Sequence, residues 1–377
     1  VSSLSQTPPA DDERLARLRL IRSGGIGPLT YRQLVEREGS AKAAIEALPG
    51  LIEASGRKTI RIANEGDAAR ELDALEKKGG RLLTLGEKDY PQPLAAIPDA
   101  PAVLSLFGDP SLLARDQIAI VGARNASAAG RSLARSLAEE LGKAGIAVTS
   151  GMARGIDGAA HEAALDSGTI AVLAGGADNI YPPEHRDLYR KIADGGLIVS
   201  EQPLGMTAKA RDFPKRNRIV SGLSLGVVVV EAAERSGTLI TARLASEQGR
   251  DVFAVPGSPL DPRSKGTNNL LRKGAILVTS VSDILDELDR QRTPRLFEGL
   301  RPAWSAPMAD TESEPDDLEA TLESLLSQVP THRDVLIAES GGAPSQVAAV
   351  LLDLVLGGRA AEDTGGHYVR AFPERGM

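Results

Sequence analysis

The chain of 377 residues contains no cysteine, four histidines and few aromatics: five Phe, five Tyr and one Trp. Without cysteine there is neither a disulfide nor a thiolate, which fits a reducing compartment. The histidines, His161, His185, His332 and His367, are scattered, so no metal site is expected, and no cofactor. No run of about 18 apolar residues occurs, so no membrane span is expected. Residues 1–12 lack the basic start and apolar core of a signal peptide, and a cytoplasmic protein is the expectation. The net charge of -7 argues against a surface that coats nucleic acid all over. It leaves room for a focused basic groove, because affinity follows local phosphate contacts.

One stretch runs against both scarcities. Lys209 to Arg218 reads Lys-Ala-Arg-Asp-Phe-Pro-Lys-Arg-Asn-Arg, with cations Lys209, Arg211, Lys215, Arg216 and Arg218 against the single acid Asp212. Phe213 sits among them. Cations beside an exposed ring suit single-stranded nucleic acid, the charges meeting phosphates and the ring a base face. The other reading is a solvated basic loop with Phe213 turned into the core.

Residues 1–12 read as a disordered leader. Residues 13–79 are helical in pattern, with a breaker cluster at Gly24-Gly25-Ile26-Gly27-Pro28. The hairpin suits a helix-hairpin-helix or sterile-alpha-motif-like module, or else is a plain tight turn. A domain over 80–290 opens with a strand at Leu82–Leu85 and a Pro-rich connection into Val103–Phe107. From Gln117 the texture changes to short apolar runs that end in glycine and alternate with helical stretches: Ile118–Val121, Ile146–Thr149, Thr169–Leu173, Leu197–Val199, Val227–Val230, Val252–Val255 and Ile276–Val278. Continuous apolar strands alternating with helices predict a Rossmann-like, doubly wound, mostly parallel α/β sheet. Residues 291–317 form an acidic, Pro-bearing linker. Residues 318–377 read as three helices and a β-wing, a winged-helix-like domain. Its third helix carries Asp353 and no Lys or Arg before Arg359, so protein interaction or regulation is favoured over reading a DNA groove.

Ligands of an open parallel sheet sit beyond the carboxyl ends of its strands. The predicted strands end there in Gly122 with Arg124, in Ser150, Gly151 and Gly155, and in Gly175. Another strand leads to Ser236, Gly237 and Thr238 at a helix start. Glycine admits close backbone approach and helix N-termini favour anions, so these turns predict a phosphate-binding rim, with Lys209–Arg218 as one wall. Each turn alone also has a purely geometric reading. Known catalytic patterns fall away. There is no Gly-x4-Gly-Lys-Ser/Thr, and Gly122-Ala123-Arg124 lacks the dinucleotide spacing. Gly222-Leu223-Ser224-Leu225-Gly226 has a helix before and a strand after, the reverse of a nucleophile elbow. His161-Glu162 lacks a second His, since Leu165 stands there. Asp157 with His161 reads as a loop anchor rather than an acid/base pair.

These segments resemble the DNA-processing protein A (DprA, or Smf) family of bacteria. The resemblance rests on Val121-Gly122-Ala123-Arg124, on Ser150–Asp157 with Ala160-His161, and on Tyr181-Pro182 and Ser200-Glu201. Phe213–Ile219, Ser236–Ala242 and Gly249–Gly257 continue it. It is strong over about 80–290 and looser outside. Where the family has Gly-Ser/Thr-Arg this chain has Gly122-Ala123-Arg124, without that hydroxyl. The resemblance implies a homodimeric single-stranded DNA-binding protein, not an enzyme, that shields incoming strands during natural transformation and loads the recombinase RecA. It implies that Arg124 grips a phosphate, that Gly122 and Gly151 allow close approach, and that Lys209, Lys215, Arg216 and Arg218 line the groove. Phe213 would stack on a base while Asn217 braces the loop. The alternative is a nucleotide phosphoribohydrolase on a related sheet. Ser236–Thr241 resembles its Gly-Gly-x-Gly-Thr-x-x-Glu turn, but Thr241 replaces the glutamate. A regulatory mononucleotide on the glycine rim is a third reading.

Overall fold

The computed structural model describes residues 11–54, 61–292, 315–327, 329–363 and 366–371. The leader falls outside them up to residue 10, as does the linker from 293 to 314, including Asp310, Glu312 and Glu314. The described residues make two compact units, residues 70–292 and residues 11–69 together with those from 315 onward.

The second unit begins with α1 (Asp11–Ile21), α2 (Pro28–Glu38) and α3 (Ala41–Ala54). Helix α2 starts on Pro28, whose fixed φ and missing N–H suit a first helical position, and stops at left-handed Gly39, whose N–H bonds Val35 O. Helix α4 (Glu65–Lys77) crosses from this unit into the first.

In the first unit the chain continues through β1 (Arg81–Thr84), α5 (Gln92–Ala95), β2 (Val103–Gly108), β3 (Gln117–Val121), α6 (Ala128–Lys143), β4 (Ala147–Ser150) and α7 (Ile156–Ala163). Next come β5 (Thr169–Gly176), α8 (Arg186–Gly195), β6 (Leu197–Gln202), α9 (Asp212–Leu223), β7 (Gly226–Val229) and α10 (Thr238–Glu247). The unit ends with β8 (Asp251–Ala254), α11 (Lys265–Arg272), β9 (Ile276–Leu277) and α12 (Val281–Arg292). The sheet has nine strands in the order β1-β2-β6-β5-β4-β3-β7-β8-β9. From β6 to β9 every pair is parallel, while β1 and β2 add antiparallel at one edge.

Both faces are covered, and the strands show it residue by residue. Ile118 and Ile120 of β3 pack with α6, α7 and α12 residues such as Leu137, Ile156 and Ile284. The alternate Ala119 and Val121 pack on the other face with Ile219 and Leu223 of α9 and Ala242 of α10. That two-sided burial is why the strands are continuous apolar runs. The Gly222–Gly226 segment lies between the end of α9 and the start of β7, as expected of a chance match.

The second unit ends with α13 (Pro315–Leu325), β10 (Thr331–His332), α14 (Arg333–Ser340), α15 (Pro344–Leu356), β11 (Ala360–Asp363) and β12 (His367–Arg370). Its sheet runs β10-β12-β11. On α15, Val347, Leu351, Leu354 and Val355 join the winged-helix core. Leu352 and Leu356 are buried as well. Arg37 of α2 reaches Asp353 at 3.3 Å, and Thr30 donates to Glu362 at 3.3 Å. A helix apolar on more than one side is covered on more than one side.

Candidate nucleic-acid interface

Beyond the carboxyl ends of β3, β4 and β5 lies a cavity of about 380 Å³. The loop after β3 gives it Arg124 and Asn125, and the loop after β4 gives Gly151, Ala153 and Arg154. Strand β5 and its long exit supply Leu173, Ala174, Gly175, Asn179, Tyr181 and Pro182. Ala208, Phe213 and Arg216 close it.

Lys209–Arg218 is not one exposed loop, as its charge had implied. Helix α9 begins at Asp212, whose carboxylate accepts the N–H of Lys209 at 2.9 Å, and Pro214 is tolerated in the first turn. Only Lys209, Arg211 and Lys215 of the five cations are exposed. Arg216 is 6% exposed and reaches the cavity from below. Its Nη1 donates to Val172 O at 2.5 Å, while its Nε is buried without a partner. Burial pulls the guanidinium down to about 10, with Asp157 opposing the shift and Arg124 adding to it. It remains a cation at neutral pH, and a buried cation with an unused donor attracts an anion.

Arg218 does not line this cavity. At 4% exposed, it places Nη2 at 2.7 Å from both oxygens of Glu201 and Nε at 3.2 Å from Asp99. Burial works against its charge, yet Glu201 and Asp99 outweigh burial and hold it above the ordinary arginine range. Asn217 is half-buried and also outside the cavity.

At the mouth, Phe213 forms a tilted pair with Tyr181, ring centroids 5.6 Å apart, and Arg124 lies 5.3 Å from the Phe213 centroid. Such a cation–ring contact contributes about 0.5–1 kcal/mol at an exposed site. It also orients the arginine. Tyr181 is 48% exposed. Arg154 is exposed and pairs with Glu184.

The glycine rim does a different job from the one expected. A Cβ on Gly122 would strike Ile156, and one on Gly175 would meet Met206 O at 2.6 Å. Gly155, at φ +77, would bring a Cβ to 2.3 Å from Ala123 O. A Cβ on Gly151 would come to 2.1 Å from Arg216 Nη1. These glycines let the loops close on one another and on Arg216, while Gly151 and Gly175 line the cavity beside Arg124, Arg154 and Arg216. Ser150 is fully buried and gives its hydroxyl to Ile120 O at 2.6 Å. Asp157 accepts from the N–H groups of Gly151 and Ala153, whereas His161 bonds Thr169 at the start of β5, so Asp157 anchors the loop by itself and does not pair with His161 as acid and base.

The other rim segment stands apart from the cavity. Ser236, Gly237 and Thr238 open α10, and the Thr238 hydroxyl donates to Gly122 O at 3.0 Å. They border the crevice between β3 and β7, where strand order reverses and a Rossmann sheet usually holds a nucleotide phosphate. Here the N-terminus of α6 is taken by Glu231, which accepts the Ser127 N–H at 2.9 Å and its hydroxyl at 2.5 Å. A Cβ on Gly130 would lie 2.6 Å from the Glu231 carboxyl carbon, so that carboxylate fills the place of a phosphate. Thr241, at the position of the phosphoribohydrolase glutamate, is buried. Both features disfavour the nucleotide readings.

The comparisons with known proteins agree along most of the chain. The model of DNA recombination-mediator protein A matches residues 81–289, a DprA-like N-terminal HHH domain matches 11–74, and the DprA winged helix domain matches 306–366. Protein Smf of Escherichia coli is 42% identical over 78% of this chain and 79% of its own length. Protein Smf of Synechocystis is 34% identical over 92% and 96%.

The chain belongs to the DprA/Smf family.

Among solved DprA structures, that of Streptococcus pneumoniae superposes with a TM-score of 0.64 at 32% identity, covering 75% of this chain and 99% of that one. The Helicobacter pylori DprA structure, described as showing a unique single-stranded DNA binding mode, gives 0.52 at 32% identity, covering 56% and 96%. Of the expected site residues, the structure gathers Arg124, Gly151, Gly175, Phe213 and Arg216 around one cavity. It leaves Gly122, Ser150, Gly155, Lys209, Arg211, Lys215, Asn217, Arg218, Ser236, Gly237 and Thr238 off its lining. Sequence reasoning missed Asn125, Arg154, Asn179 and Tyr181. For Arg154 the signal was present, a cation inside a glycine turn at the right edge. For Tyr181 it was an exposed-type ring in the exit of a strand already placed there. Among the described residues, no single helix is long and apolar enough to cross a membrane.

Proposed function

We propose that this chain binds single-stranded DNA in the cavity beyond β3, β4 and β5. The supporting observation is the meeting of Arg124, Arg154 and the buried Arg216 with the Tyr181–Phe213 ring pair. The cations meet phosphates, and the half-exposed Tyr181 takes a base face. A duplex hides its base faces in the stack, so the rings select single strands. The protein works by binding and not by turnover, as a homodimer that protects incoming strands in the cytoplasm and loads RecA during transformation and recombination. Membership of a recombination-mediator family supports the last step. The H. pylori relative supports the choice of strand.

The test is a gel shift with matched single- and double-stranded oligonucleotides across a salt series, followed by addition of RecA. Single strands bind more tightly, affinity falls steeply with salt, and RecA assembles faster on the bound strand. Arg124→Ala weakens all sequences alike, by about tenfold for a charged hydrogen bond. Equal affinity for duplex, or an Arg124→Ala variant that binds like wild type, would overturn the assignment.

A further inference from the structure

Met152 is the one non-glycine residue with positive φ among the described residues, at 59°. It lies in the wall of the cavity between Gly151 and Ala153 and is itself fully buried, against Leu173, Ala177 and Leu188. A left-handed residue with a side chain costs about 1–2 kcal/mol, so its surroundings must hold it. Its carbonyl accepts from His185 Nδ1 at 3.1 Å. On either side, the N–H of Gly151 and the N–H of Ala153 both donate to one oxygen, Oδ2 of Asp157, at 3.1 and 3.3 Å.

We infer that Asp157 is a positioning residue for the DNA-binding cavity: through that single oxygen it holds the Gly151–Ala153 wall at the height that Arg216 requires. The inference rests on the DNA-binding reading of the cavity. Asp157 lines no part of the cavity. The wall and the guanidinium touch through Gly151, which has no room for a Cβ above Arg216 Nη1. A wall released by a few tenths of an ångström therefore changes where Arg216 lies. Asp157 stands in the first turn of α7, where the helix dipole favours a carboxylate, so the oxygen is set before any ligand arrives. Keeping a carboxylate there is costly: Asp157 is 5% exposed, and burial raises its pKa although Arg216 and the two N–H groups pull the other way. An apolar side chain would fill the space at lower cost but could not hold the two N–H groups.

The test uses the full chain and a fluorescently labelled oligo-dT, with affinity read by anisotropy and folding by circular dichroism at the assay temperature. Asp157→Asn keeps an oxygen at the same reach; it removes the charge that partly offsets burial of Arg216 and so lowers stability, while the folded protein binds within about threefold of wild type. Asp157→Glu keeps the charge but moves the oxygen by one methylene, and loses about tenfold, as does Asp157→Ala. The Asn and Glu comparisons remain decisive if the alanine variant does not fold. The reverse order, with Glu binding like wild type and Asn weakened, would show that charge matters and overturn the inference, as would wild-type affinity in all three variants. Arg124→Ala separates the two readings. If it binds normally the cavity is not the DNA site, whereas if it weakens while Asp157→Glu does not, only the positioning role falls.

Discussion

Arg216 and Arg218 lie two residues apart on α9, are equally hidden from solvent, and serve different regions. Two residues turn a helix by about 200°, so the side chains leave on opposite sides. Arg216 goes to the floor of the cavity, where Asp157 only partly offsets burial; each of the two keeps one buried nitrogen without a partner, Nε on Arg216 and Nη1 on Arg218. Arg218 goes to Glu201 near the end of β6 and to Asp99 between α5 and β2, where two carboxylates more than offset burial. The first environment leaves a cation wanting an anion. The second has supplied it with two. Whether a buried arginine is a ligand group or a brace follows from that balance, not from burial.

The comparison breaks most sharply at Arg218. Arg218→Ala removes the guanidinium that Glu201 and Asp99 both contact and costs about 3–5 kcal/mol of stability, measured by urea unfolding. Single-strand affinity of the folded fraction stays unchanged. A large loss of affinity without loss of stability would place Arg218 in the DNA site after all. On the Arg216 side, Phe213→Ala removes the ring shared by Arg124 and Tyr181. It costs about 1–3 kcal/mol of single-strand affinity, and a loss confined to thermal stability would make the ring a packing residue.

Beneath Arg216, burial pushes His161 down to about 3, with His185 and Arg216 adding to the shift. The unfolded chain therefore binds that proton more readily than the folded one. The stability this residue gives is complete above the ordinary value of 6.5 and is lost as pH falls from there toward 3, at about 1.4 kcal/mol per pH unit. His161→Gln should flatten the urea midpoint over that window, and an unchanged slope would mean another group carries it. The smallest effect belongs to Lys215, exposed on the same helix. Lys215→Ala leaves stability within about 0.5 kcal/mol and lowers the salt slope of binding by about one counterion at most. A loss as large as that of Arg124→Ala would move the centre of the interface onto the outer face of α9.

Much of the first unit was legible because its strands are buried on both faces, which writes them as unbroken apolar runs closed by glycine. The cavity was legible as an edge and a charge type: Arg124, Phe213 and Arg216 lie at the carboxyl ends of the strands as their positions required. Its lining was less so. The turn glycines looked the same whether they admit a ligand or a neighbouring loop, and only the crowding by Ile156, Ala123 O, Met206 O and Arg216 tells the two apart. The start of α9 was hidden because its first seven residues, Asp212 to Arg218, hold no apolar residue beyond Phe213 and Pro214 and so show no helical stripe.

The amino-acid order by itself determines where the strands and most helices fall, which edge of the sheet gathers the glycine turns, and the family to which the chain belongs, since these depend on local pattern and on motifs contiguous in the chain. The tertiary structure alone decides which arginine of α9 lines the cavity, that Glu231 fills the helix end a nucleotide would use, and that Asp157 reaches back to hold a cavity wall. Each of those depends on a distance between segments far apart in the chain, and a guanidinium or carboxylate changes its task over a few ångströms according to the charges and N–H groups it finds there.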